Sequence, residues 1–154
     1  MFKKLIICTT AICRPEIHNI CIPKVSDVLE LLVGYNIYWI INIDNYSAHG
    51  ITQEQTKNNF DLIISNKITK FFSLPTESSH PGAVNNIVNI IKSNNLLHDD
   101  NLYFWLEDDW KIDYEFNPNI ILKYVYPKTW YSLAANYPGF NPSILGGNSV
   151  SNCV

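Results

Sequence analysis

Apolar positions in this chain fall into short blocks separated by polar turns, and the blocks alternate between strand-like and helix-like patterns. Leu5 to Thr10 is a continuous run without helical periodicity and reads as a strand buried on both faces. Ser26 can cap a short helix over Asp27 to Val33, which Gly34 ends by permitting a left-handed turn. Tyr38 to Ile43 is aromatic and β-branched, too short for a helix, and gives a second strand. Thr52 to Ile64 reads as a helix, because Thr52 and Gln55 have capping-box spacing. Ile68 to Ser73 is a third strand closed by Pro75.

The clearest helix starts at Pro81, whose missing N–H suits the first helical position. Ala83, Val84, Ile87, Val88 and Ile91 then make one apolar face, and Asn94-Asn95 closes it. Asn101 to Leu106 is the next strand and runs directly into Glu107-Asp108-Asp109. Asn117-Pro118 opens a further helix to Val125, Thr129 to Ala134 is a last strand, and the Gly-, Pro- and Asn-rich tail from Asn136 is loop. Strands alternating with helices imply an α/β sandwich with a mainly parallel sheet. In such sheets ligands bind outside the carboxyl ends of the strands, so polar residues there come first.

Composition narrows the field. The 154 residues suit one domain with a real core, and 47% hydrophobic with 16% charged is globular. A net charge of −3 argues against a nucleic-acid-binding surface. No stretch reaches the ~20 apolar residues of a membrane span. Met1-Phe2-Lys3-Lys4 before Leu5 imitates a short signal peptide, but Ile12 and Arg14-Pro15 fit no cleavage site, and a buried strand explains the run. Cys8, Cys13, Cys21 and Cys153 form no CxxC pair, which leaves free thiols in a reducing compartment and a cytoplasmic location as the expectation.

Candidate chemistry centres on Glu107, Asp108 and Asp109, flanked by Trp105 and Trp110. Adjacent carboxylates repel one another, and apolar neighbours raise the cost of their charge. A hard divalent cation, Mg²⁺ or Mn²⁺, offsets both. Strand alternation sends Glu107 and Asp109 to one side and Asp108 to the other. Taken alone, the cluster reads as a solvated acidic turn after an edge strand.

The chain resembles the nucleotide-sugar glycosyltransferases of the GT-A fold, family-2-like in flavour, over roughly residues 4–145. The matching pieces run in order. They are Ile7-Cys8-Thr9-Thr10 with Arg14-Pro15-Glu16, Ile43-Asp44, His80-Pro81-Gly82-Ala83-Val84-Asn85-Asn86, and Phe104-Trp105-Leu106-Glu107-Asp108-Asp109-Trp110. Ser132 to Asn136, leading into Pro138-Gly139-Phe140-Asn141-Pro142, completes the series. The resemblance implies a Rossmann-like α/β/α sandwich of one domain, with 1–110 binding the nucleotide sugar and 111–154 beginning the acceptor side.

It further implies that Asp109 ligates the metal, Mn²⁺ or Mg²⁺, bridging the donor diphosphate. Glu107, standing where the family's D-x-D has its first Asp, would contact ribose or metal-bound water, with Asp108 between them in the same nucleotide-sugar site. Thr9 and Thr10 would line the base pocket, Arg14 would lie near base or phosphate, and Asp44 would bind base or ribose. Phe140 and Asn141 would face a glycan or other hydroxyl acceptor. The residues leave other readings open: Arg14 as a surface residue, Asp44-Asn45 as a turn, the threonines as ordinary strand residues, and residues 138–142 as a plain Pro/Gly turn. His80 reads as a helix-start residue. GT-A domains generally continue past the acceptor loop with elements that hold the catalytic base, and neither Asp113 nor Glu115 has a spacing that makes it one. The expectation is therefore metal-dependent glycosyl transfer, with a non-catalytic nucleotide-sugar-binding or interaction module on a truncated scaffold as the alternative.

Overall fold

A computed structural model describes residues 4–14, 27, 29, 34–47, 50–63 and 67–108. In chain order these form β1 (Lys4–Cys13), β2 (Asn36–Ser47), α1 (Gln53–Asp61), β3 (Ile68–Ser73), α2 (His80–Ser93) and β4 (Leu102–Trp105). The strands make one sheet in the order β3-β2-β1-β4, and every pairing is parallel. The α/β reading with a parallel sheet therefore holds.

The two faces of the sheet carry separate cores. Leu5, Ile7 and Ala11 of β1 and Ile37, Trp39, Ile41 and Ile43 of β2 pack with Phe60 of α1 and with Leu29. Trp39 meets Phe60 edge-on, with ring centroids 5.5 Å apart. On the opposite face Ile6, Cys8 and Ile40 pack with Ile87 and Ile91 of α2 and with Leu96. Alternate residues of β1 thus enter different cores. That is why the segment is apolar at every position instead of every second one.

Helix ends follow local chemistry. Thr52 Oγ1 accepts from Gln55 N–H, and the Gln55 side chain accepts from Thr52 N–H, completing the capping box. Helix α2 begins one residue earlier than expected. Ser79 is the N-cap and His80 opens the helix, so Pro81 is second, not first. The Ser79 hydroxyl accepts from Gly82 N–H at 3.1 Å, and a Cβ at Gly82 would stand 2.6 Å from that oxygen, so a larger residue there would make the hydroxyl shift. Asn94 caps the other end, and Asn95 adopts φ +52°. Asp27 and Leu29 are helical, and Gly34 has φ +89°, as expected for that short helix and its stop.

Both central strands outrun their apolar blocks. Strand β1 continues to Cys13 and β2 spans Asn36 to Ser47, so Asp44-Asn45 is strand, and the turn reading of that pair is corrected. Strand β4 ends at Trp105, yet Leu106 N–H donates to Cys8 O at 2.8 Å and Asp108 N–H to Thr10 O at 3.1 Å, extending the ladder along β1. The helix expected over 117–125, the strand over 129–134 and the tail from Asn136 lie outside the described residues. Among the described residues no helix is long and apolar enough to cross a membrane.

Candidate functional site

Strands β2 and β3 step outward from one side of β1, whereas β4 joins its other side. The strand order reverses between β1 and β4, and in open parallel sheets ligands bind outside the carboxyl ends of the strands at such a point. The residues at those two ends are Thr10 and Ile12 of β1, Arg14 just past it, and Glu107 and Asp108 from beyond β4.

The α2 face of the sheet changes character toward that edge. Phe71, Ile40, Cys8 and Trp105 form a hydrophobic row across all four strands. One pleat further on, the row reads Ser73, Asn42 and Thr10, and the extended ladder sets Glu107 beside Thr10. The α1 face stays apolar at this level, with Ala11 beside Ile43. The polar end of the sheet is thus on the side of α2.

Glu107 lies within this row. Its Oε1 accepts from the Trp105 indole N–H at 2.6 Å, and its Oε2 accepts from the Thr10 hydroxyl. Trp105 and Glu107 are two apart and share a face, as strand alternation requires.

Asp108 is tied differently. It is buried, its Oδ2 accepts from the Ile12 N–H at 3.1 Å, and Arg14 Nη2 stands 3.8 Å from Oδ1. The ladder of β1 with β2 is irregular between Ala11 and Cys13, which is where the Ile12 N–H takes Asp108 as its partner. Arg14 therefore closes onto the acidic segment and compensates one of its charges.

Asp44, two residues beyond Asn42 on β2, accepts from Asn42 Nδ2 at 2.7 Å. Asn42 is fully buried, and its Oδ1 accepts from Asn86 Nδ2 of α2 at 3.0 Å. Neither asparagine was assigned a role from the sequence. The available signal was a single amide inside the otherwise apolar run from Tyr38 to Ile43.

Thr9 belongs elsewhere. It is buried on the α1 face, and its hydroxyl accepts from the Trp39 indole N–H at 2.9 Å, so it is not brought to the polar row with Thr10. Cys8 and Cys13 are free and buried. Burial pushes the Cys8 thiol up to about 12. Burial raises Cys13 as well, with the nearby Asp44 charge adding to the rise. His80 is exposed at the start of α2, and His98 Nδ1 accepts from Asp100 N–H at 3.1 Å in the turn before β4. Neither enters the cluster.

Among the described residues no group of three or more His, Cys, Asp or Glu is placed to hold a metal ion. Asp109, Phe140 and Asn141 lie outside the described residues, as does Trp110. The described part of the site thus contributes Thr10, Arg14, Asn42, Asp44, Glu107 and Asp108. Comparison of the chain with protein-family models, with curated proteins and with solved structures finds no match.

Proposed function

We propose that this chain binds a nucleotide sugar at the carboxyl edge of its sheet, between β1 and β4, and transfers the sugar to a hydroxyl acceptor with a divalent metal, in the manner of a GT-A glycosyltransferase. One observation supports it above all. The acidic segment after β4 is drawn to the end of β1 by Thr10–Glu107 and Arg14–Asp108, at the point where the strand order reverses. Open parallel sheets bind ligands in that position.

The chemistry of the residues is compatible with the group to be held. A nucleoside diphosphate presents acidic oxygens, a ribose diol and base donors and acceptors. Asp109 would hold Mn²⁺ or Mg²⁺, which would neutralise charge on the departing diphosphate, and Glu107 would contact ribose or metal-bound water. Arg14, close to the same oxygens, would add positive charge as that leaving group forms. Asp44 would take hydrogen bonds from ribose or base, and Thr10 would line the adjoining wall. Phe140 and Asn141 would meet the acceptor.

A second reading, a binding module without turnover, draws on the Asp108 contacts. That carboxylate accepts from a backbone N–H and lies beside Arg14, so one acid of the cluster serves the protein's own structure. Titration of the chain with UDP-, GDP- and dTDP-sugars, with and without Mn²⁺, tests both. Metal-dependent binding that Asp109→Asn abolishes is the expected result. No metal-dependent binding of any donor, with Asp109→Asn indistinguishable from wild type, would sink the proposal. Slow Mn²⁺-dependent release of nucleoside diphosphate marks an enzyme, and binding without release marks the module.

A further inference from the structure

An amide inside a fully buried strand face needs a reason. Asn42 lies directly beyond the apolar layer of Ile6, Ile40 and Ile87, where a leucine or valine would continue the core without any hydrogen-bonding demand. A buried amide is tolerated only when its polar atoms have partners. Asn42 has one for each: its Oδ1 accepts from Asn86 and its Nδ2 donates to Asp44. The sense of this chain is fixed by chemistry. An ionised carboxylate can only accept, so the nitrogen of Asn42 must face Asp44, its oxygen must face α2, and Asn86 must present its N–H₂ there.

We propose that Asn42 and Asn86 are positioning residues, forming a relay from α2 along the face of the sheet it covers that fixes the Asp44 carboxylate for recognition of the nucleoside part of the ligand. This rests on the nucleotide-sugar reading above. Asp44 is 9% exposed, against 0% for Asn42, and lies two residues nearer the carboxyl edge on the same face. Its Oδ1 is held by Asn42, so the carboxylate cannot rotate freely, and a hydroxyl or ring N–H of the ligand meets an acceptor already oriented. Because Asn86 stands on α2, movement of that helix against the sheet would change the aim of Asp44. The metal and diphosphate contacts, on β1 and beyond β4, do not depend on the relay.

That separation gives the test. Full-length wild type, Asn42→Leu and Asn86→Ala are titrated with UDP, GDP and dTDP in Mn²⁺, and in parallel with inorganic pyrophosphate in Mn²⁺. The expected result is an affinity about tenfold lower for the nucleoside diphosphate in both variants, the effect of one misaligned hydrogen bond, with pyrophosphate affinity unchanged. Asn42→Leu should melt below the wild-type temperature, since Asp44 and Asn86 each lose a hydrogen-bond partner inside the fold. Asn86 is only half-buried, so Asn86→Ala keeps the test intact should Asn42→Leu fail to fold. Nucleotide affinity unchanged in the folded variants, or nucleotide and pyrophosphate weakened alike, overturns the relay while the nucleotide-sugar reading stands. Wild type that binds none of the three nucleotides removes that reading itself, a result distinct from the other two.

Discussion

The Arg14 guanidinium stands 3.8 Å from the carboxylate of Asp108, and the N–H of Ile12 donates to the same carboxylate at 3.1 Å. Two contacts of one side chain therefore join the end of β1 to the segment after β4. Both ends carry residues of the candidate site, so this junction holds those residues side by side. A ligand bound there would meet Arg14 already aligned by Asp108.

Replacing Asp108 separates its two roles. Asp108→Leu leaves the Ile12 N–H without its acceptor and removes the carboxylate beside Arg14, and should cost about 2–3 kcal/mol in urea unfolding. Asp108→Asn keeps an acceptor for Ile12 and loses only the charge, at about 1 kcal/mol. Equal losses from the two substitutions would show that the charge, and not the backbone bond, carries the stabilisation.

Thr9 and Thr10 are adjacent, yet the structure sends them into different surroundings. Thr9→Val is close to isosteric but removes the acceptor for the buried Trp39 indole N–H, which has its partner at 2.9 Å. An unpartnered buried donor costs about 1–3 kcal/mol, so the variant should unfold at lower denaturant while nucleotide affinity, measured by titration, is retained. Loss of affinity at wild-type stability would return Thr9 to the ligand site.

Lys70 of β3 closes helix α1. Its Nζ donates to Phe60 O at 2.8 Å and Ile63 O at 2.6 Å, and Asp61 Oδ1 stands 3.9 Å away. Burial lowers the Lys70 pKa while Asp61 pulls it back up, so a cation is held at the carbonyl end of the helix against a desolvation cost. Lys70→Met fills the same space without donating. It should destabilise the fold by about 1–2 kcal/mol and speed amide exchange in the last turn of α1. Exchange in α2 should not change.

The legible part of this fold was whatever local pattern dictates. The capping box of Thr52 and Gln55 and the limits of β3 could be read directly, because both depend on neighbours within a few residues. The far ends of β1 and β2 could not. Ile12 takes its partner from Asp108, 96 positions along the chain, and nothing in the 11–14 stretch announces it. The site divides in the same way. Glu107 stands out as a carboxylate between tryptophans, whereas Asn42 and Asn86 are 44 positions apart and acquire their meaning only when α2 packs on the sheet. Thr9 and Thr10 show the limit of residue type as a guide, since one pleat decides which of them reaches the polar row.

The thiol of Cys8 makes stability depend on alkaline pH with a definite sign. Burial raises its folded-state pKa from 9.0 to about 12, while the unfolded chain ionises at the ordinary value. The folded state therefore holds its proton where the unfolded state has released it. The stabilisation is intact below pH 9 and is lost as pH rises toward about 12. Over that window the unfolding free energy should fall by up to about 1.4 kcal/mol per pH unit relative to Cys8→Ala, which has no thiol to ionise. Cys13, raised in the same direction, remains in both proteins and cancels in the difference. Urea unfolding of the pair at pH 8, 9 and 10 checks it, under reducing conditions so that thiol oxidation does not intervene. A stability difference that stays flat across those three values would mean that the thiol ionises in the folded protein as readily as in water, and that the Ile6–Ile40–Ile87 layer around it admits solvent.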